Sequence, residues 1–376
     1  MKIVFTGGGT GGHFYPIIAV AEKVNKIIDE ENIIGAKLYY FSDSPYDKVA
    51  LMEQGLIFEE VKAGKLRTYF SIKNFFDIFK AGLGVINATY KMFSIYPDVV
   101  FGKGGYASFP ALLAARILRI PVIIHESDSH PGRVNLWAGK FAERIAVSFK
   151  DAAQFFPEKK VAWTGQPVRS QIESPEEKSK ALEYFKLESN IPTILVLGGS
   201  QGAEIINNTI LDALPRLLEN YQVIHQTGIN NFKSVMDRSK IVLPDSRNKI
   251  RYQPFAYLNP LAMKMAAGVA DIVISRAGST LFEISSWGVP SILIPFSESN
   301  GDHAKKNAFS YARVGACSVI EEMNMTGNIL FSEVERILSD KAIQERMAHS
   351  AKAFYKPGSA EKIAREIFNI AISHEE

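Results

Sequence analysis

Short apolar runs and longer amphipathic stretches alternate along the whole chain. The apolar runs are rich in β-branched residues and are bounded by glycine, proline or polar residues, a pattern that predicts buried β-strands. The predicted strands are Ile3–Phe5, Leu38–Phe41, Ile57–Val61, Val99–Phe101, Val122–His125 and Ile145–Ser148 in the first half, and Ile194–Leu197, Gln222–His225, Arg251–Gln253, Ile272–Ile274 and Ser291–Ile294 in the second.

The stretches between these strands have helical periodicity. After the first strand, Ile17, Val20, Ala21 and Val24 fall on one face of a helix, with polar residues opposite. Alternating strands and helices build parallel sheets with helices on both faces. We therefore predict an α/β protein made of two doubly wound, Rossmann-like parallel-sheet domains that face each other across a cleft.

A polar stretch with prolines near both ends, residues 165–192, separates the two series of strands. This shift in composition predicts a first domain over residues 1–165 and a second over residues 166–354. The segment Ser359–Ile372 is helical by pattern.

Composition excludes several classes of protein. The 376 residues carry a net charge of only +3, which argues against a general nucleic-acid binder. Cys317 is the single cysteine, so no intramolecular disulfide can form and a reducing compartment is expected. We expect neither a signal peptide nor a membrane-spanning segment, because the start lacks a leader pattern and no apolar run reaches about 18 residues.

Glycine is concentrated in loops that follow strands. Five of the six residues from Gly7 to Gly12 are glycine, and Gly7, Gly9 and Gly12 fit G-x-G-x-x-G between a strand and a helix. Such a loop lets backbone N–H groups approach a phosphate or a sugar. Two alternatives stay open here: a nicotinamide- or flavin-binding domain in which Asp43 holds a ribose, and a tight turn without a ligand.

Two further glycine loops change this interpretation. The sequence FGKGGYAS (101–108) follows the fourth strand, and LGGSQGA (197–203) follows the first strand of the second half. Ligands of open α/β sheets bind beyond the carboxyl ends of strands. Three loops spread over two domains predict a shared binding cleft, with close helix–strand packing as the alternative.

Three groups of polar residues are candidates for chemistry. Glu283 lies near the start of a helix predicted to begin at Thr280, where it could bind two ribose hydroxyls or satisfy the helix start. His303 and Asn307 lie one helical turn apart. His13 follows the first glycine loop at a helix N-terminus, which lowers the pKa of imidazole, so it could serve as a general base or only as a hydrogen-bonding group. The spacing in residues 125–135 matches no standard zinc pattern, and we predict no metal site.

Taken in order, these motifs resemble the MurG family, the membrane-associated N-acetylglucosaminyltransferases of peptidoglycan synthesis. The matching segments are GGGTGGHFYP, GKGGYAS, HES with a following PG and N, TGQPVR, LGGSQGA, SRAG with a following E, and DH with a following NA. The resemblance runs from residue 1 to about residue 320.

The resemblance implies a fold of the GT-B type, in which the last helix (about 355–376) packs back on the first domain. It implies inverting transfer of GlcNAc from UDP-GlcNAc to the C4 hydroxyl of the muramoyl sugar of undecaprenyl-linked lipid I, giving lipid II. No metal or other cofactor would be obligatory. The protein would lie on the cytoplasmic face of the bacterial cell membrane, and other cell-wall synthesis proteins are candidate partners; nucleic acid is not.

The resemblance also implies site residues. Those facing the acceptor and the reacting carbon would be Thr10, Gly11, Gly12, His13, Gly104, Gly105, Tyr106, Glu126 and Asn135. Those holding the donor would be Arg169, Gly199, Ser200, Gln201, Phe255, Ala256, Gly278, Ser279, Thr280, Leu281, Glu283, His303 and Asn307. The catalytic proton acceptor would be one of His13, Glu126 and Asp128.

This chain departs from the family pattern at three places. Ser127-Asp128 stands where the family usually has Gln-Asn, so an amide that can donate becomes a carboxylate that only accepts when ionised. Ala304 stands where a Gln normally follows the histidine of the DH motif, and the span from Gly278 to Glu283 is one residue short. These departures bear on the choice of donor sugar.

One further segment is rich in basic and aromatic residues. Residues 62–91 contain six Lys or Arg and one acid. Phe70, Phe75, Phe76, Phe79, Lys73 and Lys80 could rest on an anionic bilayer, and the alternative is an amphipathic helix whose phenylalanines point into the core.

Three other functions stay open: a transferase with another acceptor or UDP-sugar, a nucleotide-sugar-binding protein without catalysis, and a nicotinamide enzyme.

Overall fold

The computed structural model describes residues 1–64, 72–199, 202–243, 247–297 and 302–375, and the side chains of all of these except 72–78, 247, 374 and 375. The chain forms two compact units. The first comprises Met1–Arg169 and Lys356–Glu376, and the second comprises Ser170–Tyr355. The sequence pattern placed this boundary after residue 165. The structure extends the first unit to Arg169 because residues 165 and 166 bond to its sheet: Gly165 O to His125 Nε2 at 3.0 Å and Gln166 Oε1 to Ser148 Oγ at 2.7 Å.

The first unit is a seven-stranded sheet covered by helices. Its strands are β1 (Lys2–Thr6), β2 (Lys37–Ser42), β3 (Leu56–Glu60), β4 (Val99–Gly102), β5 (Val122–Glu126), β6 (Arg144–Val147) and β7 (Val161–Trp163). Its α-helices are α1 (Gly11–Glu30), α2 (Lys48–Glu53), α3 (Ile72–Ile95), α4 (Phe109–Leu118), α5 (Arg133–Ala138) and α15 (Ser359–Glu375), with short 3₁₀ helices at Tyr106–Ser108 and Lys150–Phe155.

The second unit repeats this architecture. Its strands are β8 (Thr193–Leu197), β9 (Gln222–Gln226), β10 (Tyr252–Phe255), β11 (Ala270–Arg276), β12 (Ser291–Ile294) and β13 (Cys317–Val319). Its α-helices are α6 (Ser170–Glu173), α7 (Lys178–Phe185), α8 (Glu204–Asn220), α9 (Phe232–Val242), α10 (Pro260–Val269), α11 (Thr280–Trp287), α12 (His303–Arg313), α13 (Gly327–Leu338) and α14 (Lys341–Phe354), with short 3₁₀ helices at Arg247–Arg251 and Glu322–Asn324.

Both sheets are parallel and doubly wound, as the sequence predicts. The strand order is β3-β2-β1-β4-β5-β6-β7 in the first unit and β10-β9-β8-β11-β12-β13 in the second. In each sheet the first strand lies between its successor and a later strand: Ile3 pairs with Leu38 of β2 and with Val99 of β4. This switch point is where ligands bind in open α/β sheets.

The core of the first unit lies where the sheet meets α1 and α15. The periodic residues of α1, including Val20 and Val24, are fully buried, and they belong to one apolar cluster with Ile363 and Ile367 of α15. Burial of each such side chain contributes about 1.5–3 kcal/mol. Two edge strands, β7 and β13, were not predicted, because each is only three residues long.

Within the described ranges, none of the helices is both long and apolar enough to span a bilayer.

Candidate active site

Two glycine loops of the first unit meet at its switch point. The β1–α1 loop contains Gly8 and Gly9, and the loop after β4 contains Gly104 and Gly105; all four have positive φ, between 79° and 152°. A Cβ on Gly9 would lie 2.9 Å from the Tyr106 ring, and one on Gly105 would lie 3.2 Å from the carbonyl oxygen of Gly8. The close approach of the two loops therefore requires glycine and leaves backbone groups uncovered by side chains.

His13 lies in the first turn of α1, beyond these loops. Thr10 is the extended N-cap residue, Gly11 and Gly12 open the helix, and His13 Nδ1 lies 3.0 Å from Thr10 Oγ1. The pKa of His13 is lowered to about 4, chiefly by burial and also by the Lys103 charge, against the opposing charge of Asp128. His13 is thus a partly exposed neutral imidazole. If Nδ1 donates to Thr10, the Nε2 lone pair can accept a proton.

Glu126 organises the loop that follows β5. One carboxylate oxygen accepts from the backbone N–H of Asp128 at 2.8 Å, and the other accepts from Gly132 N at 3.0 Å and Asn135 Nδ2 at 2.9 Å. Glu126 is 4% exposed, and burial, followed by the Asp128 charge, raises its pKa to about 7. Glu126 and Asn135 are buried, and Asn135 lies against Gly104 of the second loop, whereas Asp128 is partly exposed.

Lys103 is a charged residue of this site that sequence reasoning missed. It directly follows β4, its side chain is 0% exposed, and Nζ donates to Ser127 Oγ and, at 3.4 Å, to Gln166 Oε1. Burial lowers the pKa of Lys103 to about 7, against the opposing charges of Glu126 and Asp128. The lysine was visible within GKGGYAS, but nothing in that sequence indicates burial, since lysine side chains are normally solvated.

Two further predicted residues are placed by contacts of tyrosine side chains. Tyr106 Oη donates to Asp43 Oδ2 at 2.9 Å, so Asp43 and Tyr106 belong to one group at this edge of the sheet. The Arg169 guanidinium lies over the Tyr15 ring of α1, with Cζ 4.0 Å from the ring centroid. Arg169, which the resemblance assigns to the donor, is therefore part of the first unit.

The second unit has its own pocket at its switch point. It has a volume of about 450 Å³ and lies between the start of α8 and the ends of β11 and β12. Arg276 and Glu322 form its charged wall, with Arg276 Nη1 2.5 Å from Glu322 Oε1. The lining residues are Gly202, Ala203, Glu204, Ile205, Asn208, Arg276, Phe296 and Glu322. Sequence reasoning missed Glu322, which lies far from any motif.

The predicted donor residues border the same edge of the second sheet. Gly199 is exposed with φ 80°, and Gly278 and Ser279 connect β11 to α11, which begins at Thr280 as predicted. Glu283 is partly exposed in the first turn of α11, but the Leu281 side chain is fully buried, so only its backbone could meet a ligand. Ser200 and Gln201 lie outside the described residues.

The remaining donor candidates lie at the end of β10 and on α12. The carbonyl oxygen of Phe255 accepts from Thr227 N at 2.9 Å, so that group is already bonded, and Phe255 and Ala256 are partly exposed. On α12, His303 and Ala304 are partly exposed, whereas Asn307 is 3% exposed. Across the described parts of the chain, no cluster of three or more His, Cys, Asp or Glu side chains is arranged to hold a metal ion.

The exterior of α3 carries an apolar stripe. Phe79, Leu83, Ile86, Tyr90 and Phe93 recur at helical spacing and are each more than 60% exposed. The opposite face packs inward: Ala88 and Met92 are 0% exposed, and a Cβ on Gly84 would collide with the carbonyl oxygen of Lys62. The core therefore does not take up Phe79, and Lys80 beside it is exposed. Phe70 lies outside the described residues. Lys73, Phe75 and Phe76 belong to α3, but their side chains are not among those described.

Known proteins resemble this chain over most of its length. The glycosyltransferase family 28 N-terminal domain matches residues 3–147, and the C-terminal domain of that family matches residues 193–363. A UDP-N-acetylglucosamine–N-acetylmuramyl-(pentapeptide) pyrophosphoryl-undecaprenol N-acetylglucosamine transferase from Halothermothrix orenii is 37% identical over 364 residues, 95% of each chain.

Two other similarities agree with this match. A protein of the same description from Bacillus anthracis, numbered 2, is 37% identical over 340 residues, 89% of this chain and 91% of that one. The crystal structure of MurG from Acinetobacter baumannii superposes with a TM-score of 0.73 at 24% identity and covers 98% of this chain and 99% of that one. The last similarity concerns the fold.

Proposed function

This chain belongs to glycosyltransferase family 28, and we propose that it catalyses the transfer for which its relatives are named. The protein is an N-acetylglucosaminyltransferase that moves GlcNAc from UDP-GlcNAc to undecaprenyl-linked lipid I and so makes lipid II, a step in peptidoglycan synthesis. The observation that carries this function is the placement of glycine loops at the switch points of both sheets, beside His13 in one unit and Glu283 in the other.

His13 is the proton acceptor in this proposal. The C4 hydroxyl of the muramoyl sugar attacks the anomeric carbon of GlcNAc, its proton passes to His13 Nε2, and the bond to UDP breaks with its electron pair leaving on the diphosphate. The lowered pKa of His13 keeps the imidazole unprotonated at neutral pH. Glu126 is less suited, because both of its oxygens already accept hydrogen bonds from the loop it organises.

The second unit holds the donor nucleotide. Backbone N–H groups near Gly199 and the start of α8 would meet the diphosphate, and the Glu283 carboxylate would accept hydrogen bonds from the ribose hydroxyls. Fixed dipoles and Arg169 would stabilise the departing UDP, so no metal or other cofactor is required. Arg276 lies in the wall of the pocket beside this loop, where its charge would act on the same diphosphate.

Calorimetric titration tests the donor assignment. We expect UDP-GlcNAc to bind more tightly than UDP-GalNAc or UDP-glucose, and Glu283→Gln to weaken UDP-GlcNAc binding about tenfold, the loss of roughly 1.4 kcal/mol. Glu219→Gln, which changes an exposed glutamate at the end of α8, is the control and should leave the affinity unchanged.

Two other outcomes would change the assignment. Equal affinity for all three UDP-sugars would favour the alternative transferase with another donor, since Ala304 lacks the amide that the family uses. Binding of NADH with no binding of UDP would refute the transferase altogether. A transfer assay with UDP-GlcNAc and lipid I then tests the acceptor, and transfer only to other hydroxyl compounds would contradict it.

The apolar stripe on α3 is proposed to rest on the anionic inner leaflet of the cell membrane, where a lipid-linked acceptor resides. Five large apolar side chains would enter the interface, and the exposed Lys80, with Arg116 of the adjacent α4 and Arg119 just after it, would meet lipid phosphates. The protein would then be peripheral, at the cytoplasmic face of the membrane.

Vesicle sedimentation tests this surface. Ile86→Glu should reduce binding to vesicles with anionic lipid at low salt by about tenfold, because a charge replaces an inserted side chain. Ile34→Glu is the matched control, since Ile34 is 97% exposed in the same unit but lies in the turn between α1 and β2. Equal binding of both variants and the wild type would remove the stripe from the proposal.

A further inference from the structure

Lys103 carries a charge into a place that water does not reach. Its residue exposure is 0%, and a Cβ on Gly7 would lie 2.9 Å from the Lys103 Cβ, so the first glycine loop covers the start of the side chain. Burial of an ammonium group is costly unless its surroundings compensate the charge. An apolar side chain of similar length would avoid that cost, so the charge itself calls for an explanation.

The direct partners of this ammonium group are neutral. Nζ donates to Ser127 Oγ and to Gln166 Oε1, and Gln166 Oε1 also accepts from Ser127 Oγ at 3.2 Å and from Ser148 Oγ at 2.7 Å. Lys103 thus ties the end of β4 to the loop after β5 and to the segment after β7. These contacts fix the position of the ammonium group and leave its charge to act on groups farther away.

Four titratable groups face that charge from the surrounding elements. His13 comes from α1 and lies against the loop that Lys103 begins, since a Cβ on Gly105 would be 3.6 Å from His13 Cε1. His125 and Glu126 come from β5, and Asp128 comes from the loop after β5. The Lys103 charge disfavours protonation of both imidazoles and favours ionisation of Glu126. Asp128 acts in the opposite direction on His13 and Glu126.

We propose that Lys103 is a positioning residue of the transferase, whose buried ammonium group holds the Ser127–Asp128 segment and, together with burial, disfavours protonation of His13, the group that accepts the acceptor's proton. This inference rests on the proposed function, in which His13 is the base. It also accounts for the departure at Ser127-Asp128: the short hydroxyl of Ser127 receives the ammonium group, and the cation offsets the carboxylate that stands where the family has an amide.

The sign of the effect follows from the charges. Replacing Lys103 by a neutral residue removes a cation near His13, so the pKa of His13 rises. The acid limb of the kcat–pH profile then moves to higher pH, because His13 must lose its proton before it can act as the base. Above about pH 7, where Lys103 itself loses its proton, the variant and the wild type should converge.

The decisive variants are Lys103→Gln and Lys103→Arg in the full chain. Glutamine can still donate to Ser127 and Gln166 but has no charge, whereas arginine keeps the charge. The pKa of His13 is measured by NMR on histidine-labelled protein, with the signal assigned from His13→Gln. We expect Lys103→Gln to raise this pKa by about one unit or more and Lys103→Arg to leave it low. Lys37→Gln, an exposed lysine at the start of β2, is the control.

Kinetics supply the second readout. In Lys103→Gln the acid limb of kcat should move by the same amount, while KM for UDP-GlcNAc stays within about twofold of the wild-type value. An unchanged His13 pKa in Lys103→Gln, or equal shifts in the two variants, would overturn the proposal and leave Lys103 a hydrogen-bonding residue. If Lys103→Gln does not fold, Lys103→Met takes its place, and failure of both to fold would make the cation structural.

The two proposals fail separately. The NMR measurement does not need turnover, so a wild-type protein that transfers no GlcNAc would contradict the proposed function while the charge coupling between Lys103 and His13 is still measured.

Discussion

Each unit buries a polar cluster among its strands, and the two clusters differ in charge. In the second unit, His225 of β9 is 0% exposed, with Nδ1 2.9 Å from Tyr252 Oη and Nε2 3.0 Å from Asn207 Oδ1. In the first, Lys103, Glu126 and their neighbours mix cations, carboxylates and imidazoles. Three buried atoms there, His125 Nδ1, Asn135 Oδ1 and Gln166 Nε2, have no hydrogen-bond partner among the described residues.

The difference distinguishes a buried polar cluster that stabilises the fold from one that can take part in chemistry. In the neutral network of the second unit, burial lowers the pKa of His225 to about 3, so His225 does not change its protonation state near pH 7. In the first unit, burial lowers the pKa of Lys103 and raises the pKa of Glu126, each to about 7, while the charges of the two groups oppose these shifts. The neutral arrangement supports a fold, and the charged arrangement can exchange protons at the pH of a cell.

The largest expected effect is on turnover. His13→Ala should lower kcat by about 10²–10⁴-fold, the usual contribution of a general base, with little change in stability because His13 is partly exposed. Initial rates with UDP-GlcNAc and lipid I measure the change. His349→Ala, an exposed histidine of α14, is the matched control and should keep the wild-type rate. A His13→Ala variant with full activity would assign the proton to another group.

The neutral network should respond in stability. His225→Leu should lower the free energy of unfolding of the second unit by about 2–4 kcal/mol, because Asn207 and Tyr252 lose buried hydrogen bonds. Urea unfolding followed by tryptophan fluorescence measures it, since Trp287 lies in this unit. Tyr252→Phe removes one of the two bonds and should cost less. A large fall in kcat of the folded His225→Leu protein would contradict the comparison between the two clusters, because the neutral network would then contribute to turnover.

The dependence of that stability on pH is the next effect. His225 has a lower pKa in the folded state, about 3, than its ordinary value of 6.5, so its contribution is complete above pH 6.5 and is lost as the pH falls towards 3. Between pH 6.5 and about pH 5 the wild type should lose about 2 kcal/mol more than His225→Leu. Urea unfolding of both proteins at the two pH values tests this, and equal losses would contradict it.

The smallest effect concerns Thr10. Thr10→Ala removes the hydroxyl 3.0 Å from His13 Nδ1, and we expect kcat to fall about fivefold, equivalent to about 1 kcal/mol. Thr10→Ser keeps the hydroxyl and should retain most of the activity. An alanine variant as active as the serine variant would show that Thr10 does not orient the imidazole.

Sequence reasoning predicted the sheets well because buried parallel strands are continuous apolar runs. It missed Val161–Trp163 and Cys317–Val319, which are three-residue edge strands. Ala162 and Trp163 are exposed, so the first of these strands leaves no such run. It also identified the glycine loops, since a loop between a buried strand and an amphipathic helix can be recognised from local sequence alone.

The electrostatics of the site could not be predicted in the same way. Burial of Lys103 depends on Gly7, Ser127 and Gln166, which come from three separate parts of the chain. The three hydrogen bonds accepted by the Glu126 side chain likewise depend on how the loop after β5 folds back. Such properties arise from tertiary contacts, and no residue pattern in one segment encodes them.

The position of α15 has a consequence for synthesis of the protein. This helix follows the entire second unit in the chain, yet it packs on α1 and belongs to the core of the first unit. On the ribosome, the second unit can therefore fold as soon as residues 170–355 have emerged, while the first unit still exposes the apolar face of α1. The half of the protein that is made first is completed last, and a chaperone that recognises exposed apolar helices would find its substrate there during translation.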